Sequence, residues 1–128
     1  MMWRLAATVL LAICPSVRAQ EANDWVVIDQ SDELIVLINP QSIKTLDSGV
    51  RAAWVKYHYA HPEDAIYSKV VRYRYRCDEE MSAIESYVDY DRSGNLKSTR
   101  TLRSYELDWR PSPPDTIGSA LISAVCKF

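Results

Sequence analysis

The sequence predicts an α+β fold: a small exported domain of antiparallel strands, closed by one C-terminal helix and stapled by one disulfide. Three observations predict it. Residues 1–19 have the layout of an export signal. The chain that follows runs in short apolar and alternating stretches broken by turn residues, and its final segment changes from a period of two to a period near four.

Met1 to Arg4 supply a positive end, Leu5 to Ile13 supply nine uncharged residues, and Val17-Arg18-Ala19 supplies a small-residue cleavage site before Gln20. Residues 1–19 are therefore expected to leave as a signal peptide, with the domain over 20–128. Cleavage discards Cys14 and leaves Cys77 and Cys126, which normally join in an oxidising compartment. Leu11-Ala12-Ile13-Cys14 has the outline of a lipoprotein signal, in which Cys14 would be kept and acylated. Ile13, however, is bulky where Gly, Ala or Ser is normal. The expected product is periplasmic or secreted rather than anchored at the cell surface.

The 109 residues from Gln20 onward suit one domain with a modest core. Arg4 and Arg18 leave with the signal, so 13 Lys and Arg stand against 17 Asp and Glu, a net formal charge of −4. That balance offers no bulk attraction to nucleic acid. No other apolar run approaches the roughly 20 residues needed to cross a bilayer as a helix.

Trp25 to Asp29 and Glu33 to Asn39 are short runs rich in Val and Ile around Gln30-Ser31-Asp32, which reads as a hairpin. Asn39-Pro40 ends the second run, because proline has no amide hydrogen to give the ladder. One helical turn is expected within Pro40 to Leu46, then a turn at Asp47-Ser48-Gly49. Val50 to Ala60 carries Trp54, Val55, Tyr57 and Tyr59, content that favours a pleated, half-buried surface.

Ser68 to Asp78 has the clearest alternation in the chain. Val71, Tyr73, Tyr75 and Cys77 point one way, and Arg72, Arg74 and Arg76 the other. Met81 to Tyr90 and Leu96 to Trp109 are the next expected strands, joined by a loop whose Gly94 suits a positive φ. Prolines at 111, 113 and 114 are expected to stop pairing. Ile117, Leu121 and Val125 then recur every four residues behind Asp115, an expected N-cap, and describe a short amphipathic helix. A bridge from Cys77 to Cys126 would staple that helix to the fourth strand.

His58 and His61, near Tyr59, Glu63 and Asp64, invite a metal or haem reading. Two imidazoles three apart share a side only on a helix, and here they fall near a strand end and in a loop. The ordinary reading is two exposed histidines, and no metal site is expected. No nucleophile elbow or glycine-rich phosphate loop is present, and Asp78-Glu79-Glu80 and Asp89-Asp91 read as solvated charge at turns. Catalysis is not expected. Trp25, Trp54 and Trp109 are expected to pack into the core.

Arg72, Arg74 and Arg76 would project about 7 Å apart along one side of a strand and form the candidate binding surface. Such a row can hold a carboxylate-rich partner. It can equally pair with Glu85, Asp89 or another acid and serve only to keep the face soluble.

Several landmarks occur in a telling order: Trp25 in an apolar strand, Ile38-Asn39-Pro40-Gln41-Ser42-Ile43, Val50 to Lys56 around Trp54, and Tyr67-Ser68-Lys69 leading to Arg76-Cys77-Asp78. Tyr90-Asp91 with Gly94, Trp109-Arg110-Pro111, and a terminal helix ending in Val125-Cys126 complete them. In these the chain resembles the surface-adhesin protein E family of small exported bacterial proteins. The resemblance implies a curved antiparallel sheet, of about six strands here, packed against the C-terminal helix with the two cysteines joined. It further implies binding of host matrix and plasma proteins such as laminin, vitronectin and plasminogen, with haem binding and homodimerisation also associated. No binding residue is carried over from the family.

The leading expectation is a non-enzymatic exported binding domain that offers a sheet face or edge to a protein partner, with the arginine row supplying salt-sensitive attraction. One alternative is a periplasmic carrier of haem or another aromatic acid, held between tyrosines and the imidazole of His58 or His61. An enzyme inhibitor built on the same stapled frame is another.

Overall fold

In the computed structural model, which describes residues 24–47, 49–62 and 64–127, the chain opens as a hairpin. Strands β1 (Val26–Gln30) and β2 (Leu34–Ile38) pair antiparallel. The amide of Leu34 donates to Ser31 Oγ at 3.2 Å, and the Ser31 amide to the Leu34 carbonyl at 2.9 Å, which closes the turn. Ile28 is an extra residue in β1, and the resulting bulge lets it reach the core. The expected signal over 1–19, with Cys14, lies outside the described residues.

Strands β4 (Val50–Tyr59), β5 (Ser68–Arg76), β6 (Met81–Tyr90) and β7 (Leu96–Thr101) follow. The sheet runs β1-β2-β4-β5-β6-β7, antiparallel throughout, and curls into a half-barrel. Two short strands extend this path: β3 (Lys44–Asp47) pairs with β4, and β8 (Arg110–Pro111) pairs with β6. Thus β4 is flanked on one side by two collinear pieces, β2 against Val55 to Tyr59 and β3 against Val50 to Ala52. The gap between them is a 3₁₀ turn at Pro40–Ser42, where Ser42 Oγ accepts the Trp54 amide at 2.9 Å in place of a strand carbonyl. On the far side, β8 likewise meets Met81 and Ser82, which β7 does not reach.

Several expectations change here. The helical turn stops at Ser42, and Lys44–Asp47 is strand, with every residue exposed and so no apolar alternation to read. Leu96 to Trp109 is not one strand. It breaks at Thr101 into a 3₁₀ turn at Ser104–Glu106, where the Glu106 carboxylate accepts from the Arg103 amide. Pro111 does pair, at an edge where its missing amide hydrogen costs little. Strand β5 ends at Arg76, before Cys77 and Asp78.

Helix α1 (Ile117–Cys126) lies on the concave face. Its N-cap is Thr116, not Asp115: Thr116 Oγ1 accepts from the Ser119 amide at 3.2 Å and donates to the Pro113 carbonyl at 2.7 Å. Leu121, Ile122 and Val125 bury against Val36, Ile38, Ala53, Val55 and Tyr75, and each such apolar side chain contributes on the order of 2 kcal/mol. Cys77 and Cys126 form the expected disulfide. Among the described residues, no helix is long and apolar enough to cross a membrane.

Candidate binding face

Alternation along β5 divides the sheet into two surfaces. Val71, Tyr73 and Tyr75 face the concave side, and Arg72, Arg74 and Arg76 face the convex side, as the period of two requires. In register beside the arginines on β4 stand Trp54 across from Arg72, Ala52 across from Arg74, and Val50 across from Arg76. Arg74 is flanked on β6 by Ala83. Ala52 and Ala83 are almost wholly buried although both lie on the convex side, in register on either side of Arg74.

The acid that meets the row is Glu85. Between Arg72 and Tyr73 the register with β6 shifts by one residue, which places Glu85 in a bulge opposite the arginines. Its Oε1 accepts from Arg74 Nη2 at 2.9 Å, while Arg72 Nη1 stands 3.3 Å from Oε2. The Arg72 contact is an ion pair without hydrogen-bond alignment. Glu85 Oε2 and Arg74 Nε therefore make no protein hydrogen bond among the described residues. Two guanidinium groups share one carboxylate, and the cluster keeps a net positive charge.

Aromatic rings interleave with these cations. Arg76 stacks over Trp109 at 4.0 Å from the ring centroid and pairs with Glu79 at 3.6 Å. Lys56 Nζ sits 4.3 Å from the centroid of Trp25, and burial lowers the pKa of that ammonium. None of Trp25, Trp54 and Trp109 is in the core, contrary to the sequence expectation. Each is half-buried on or beside the convex face, because the concave side is already filled by the helix and the tyrosines. Trp54 and Arg72 also line a groove of about 390 Å³ with Asn39, Gln41, Ser42 and Lys44, which the 3₁₀ turn between β2 and β3 brings alongside.

Asp89, the other acid expected to meet the arginines, lies on the concave side. There it is buried, with Lys69 Nζ at 3.5 Å from its Oδ1 and Ser98 Oγ donating to its Oδ2 at 2.6 Å. Tyr57 and Tyr73 join hydroxyl to hydroxyl at 2.7 Å nearby, and burial raises both phenols above their ordinary value. The two histidines separate. His61 lines a cleft with Tyr59 at the open end of the concave face, whereas His58 alternates to the other side of β4. Burial, and then Lys56, lower the pKa of His58. No group of three or more metal-ligating side chains occurs among the described residues.

Sequence reasoning missed Lys44, Lys56 and the polar turn 39–42 as parts of this surface. The signal was available for Lys56, since period two from Trp54 puts it on the same side. The family model for surface-adhesin protein E matches residues 25–127. No curated protein matches the chain.

Proposed function

Because the chain belongs to the surface-adhesin protein E family, a group of adhesin-like exported or surface proteins, we propose that it is a non-enzymatic module that captures a protein partner on its convex face. The observation that carries this is the interleaving of Trp25, Trp54 and Trp109 with Lys56, Arg72, Arg74 and Arg76 on one side of a rigid sheet. Trp and Arg are the side chains that most often dominate binding energy at protein interfaces. A carboxylate-rich segment of a host matrix or plasma protein suits the surplus cation and the groove beside Trp54.

The test replaces Arg72, Arg74 and Arg76 together by Ser and measures surface capture of laminin, vitronectin and plasminogen. A folded triple variant is expected to lose at least about tenfold in affinity, and the wild-type protein to weaken as salt rises. Undiminished capture by the folded variant would remove the convex face from consideration. Mass spectrometry of the N-terminus of exported protein separates a soluble product starting at Gln20 from one acylated at Cys14.

A further inference from the structure

Helix α1 covers only one end of the concave face. At the other end β2, β4, β5 and the loop after Tyr59 enclose a cleft of about 610 Å³, a size typical of small-molecule sites. Its apolar wall is Leu34, paired in register with Tyr59, together with Ile66. Main-chain bonds fix the loop at both ends: the Ala60 amide to the Glu33 carbonyl at 2.9 Å and the Tyr59 amide to the Tyr67 carbonyl at 3.1 Å. The amide of Tyr67 in turn donates to the Tyr90 carbonyl at 2.9 Å.

Among the described residues, two carboxylates, one lysine and the imidazole of His61 line the cleft. Glu33 and Asp64 both line it. Lys69 is the cation in its wall, and that ammonium is engaged with Asp89 Oδ1 and lies 5.0 Å from the ring centroid of Tyr87. Lys97 reaches the same loop but bonds the main-chain carbonyl of Asp64 rather than its carboxylate. Behind the wall, Asp89 is 4% exposed, and its Oδ1 has no hydrogen-bond partner among the described residues. Lys69 is thus engaged by a deeper acid, whereas Glu33 and Asp64 line the cleft as exposed acids. Asp64 and Ala65 adopt φ of 53° and 59°, a left-handed geometry uncommon for non-glycine residues.

We propose that this cleft binds a small organic cation, an ammonium carried on an apolar or aromatic body, with the charge at Glu33 and Asp64 and the body against Tyr59, Leu34 and Ile66. Tyr59 suits the task because its ring lines the cleft and can offer a π face to the cation. An anion of the same shape would meet the two carboxylates and be rejected. The site is independent of the convex face, and its test does not depend on protein capture.

The test is an amide-resolved NMR titration of the purified protein with phenethylammonium and, separately, phenylacetate, two probes of similar shape and opposite charge. Phenethylammonium is expected to shift Leu34, Tyr59, Ile66 and Lys69 saturably in the millimolar range or below, and phenylacetate to leave them in place. Glu33→Gln with Asp64→Asn is expected to weaken the first probe about tenfold while the rest of the spectrum is unchanged. Saturation by phenylacetate, unchanged affinity in the folded double variant, or no saturation by phenethylammonium up to about 10 mM would overturn the proposal. The charge-swapped pair decides on the wild-type protein alone should the double variant fail to fold.

Discussion

The guanidinium of Arg51, on β4, donates from Nη1 to the main-chain carbonyl of Val125 at 2.7 Å, one residue before Cys126. A cation from the sheet thus satisfies a carbonyl in the last turn of α1, where the helix dipole favours positive charge. Helix and sheet are joined twice within one turn, once by a hydrogen bond and once covalently. Arg51→Ala is expected to cost about 1–3 kcal/mol of unfolding free energy, read by urea denaturation.

Removing the bridge with Cys77→Ala and Cys126→Ala is expected to cost roughly 4 kcal/mol in the loop-entropy account, for a sequence separation of 49 residues. Because both links hold the same turn of the helix, the losses should not add. In the protein without the bridge, Arg51→Ala should cost at least about 0.5 kcal/mol less than in the bridged one. A double-mutant cycle measures the difference, and strict additivity would show that the two links act separately.

Alkaline pH should unfold the protein through its tyrosines. Burial first, and Tyr73 second, raise Tyr57 and Tyr75 well above the ordinary phenol value of 10.0, and burial also raises Tyr73. Since the folded pKa values lie above the unfolded one, these groups contribute full stability below pH 10, and that contribution falls as pH rises past it. Tyrosinate absorbance from these residues should appear together with the unfolding transition. Tyr73→Phe is expected to cost about 1–2 kcal/mol at neutral pH by removing the partner of the Tyr57 hydroxyl.

Glu85→Gln keeps the shape at the centre of the convex face and removes its anion. The side chains of Glu85, Arg72 and Arg74 are 14%, 27% and 29% exposed, so loss of the shared carboxylate is expected to cost about 1–3 kcal/mol. The same change adds one positive charge to the face. Association with an acidic partner should therefore speed up, with a steeper salt dependence, as stopped-flow or surface plasmon resonance would read.

Two turn glycines should respond differently to Ala. Both Gly49 and Gly94 sit at positive φ, 76° and 80°, but a Cβ at 49 would stand 3.0 Å from Asp78 Oδ2, whereas nothing lies within 4 Å at 94. Gly94→Ala is expected to cost about 1 kcal/mol and Gly49→Ala more, compared by thermal denaturation.

Strands with one wet face were legible in the sequence because burial imposes their alternation, as Val71, Tyr73 and Tyr75 against the three arginines make plain. Met81 to Tyr90 kept its expected bounds despite the bulge at Glu85. Strands β3 and β8 left no such mark. Lys44–Asp47 is exposed throughout and Arg110–Pro111 holds two residues, so what makes them strands is an open edge of β4 or β6 rather than their own pattern. The convex face was half legible: period two gives the arginines, but ring size alone does not say which face a tryptophan takes, and Trp54, in the middle of β4, stands on the convex side. The cleft was partly legible: Tyr59, His61 and Asp64 lie close together in the sequence, but Glu33, Leu34 and Lys69 come from other segments that only the curl of the sheet brings to them.

Cys126 follows every strand in the chain, and its mate at position 77 lies just past β5. During passage across a membrane from the N-terminus, the first thiol emerges well before the second, and the covalent tie cannot close until the entire sheet has arrived. For a chain exported in that way, closure of the native bridge should follow emergence of the last strand, and a chain stalled before its terminal turn would present Cys77 as a thiol open to mixed disulfides with the oxidising machinery.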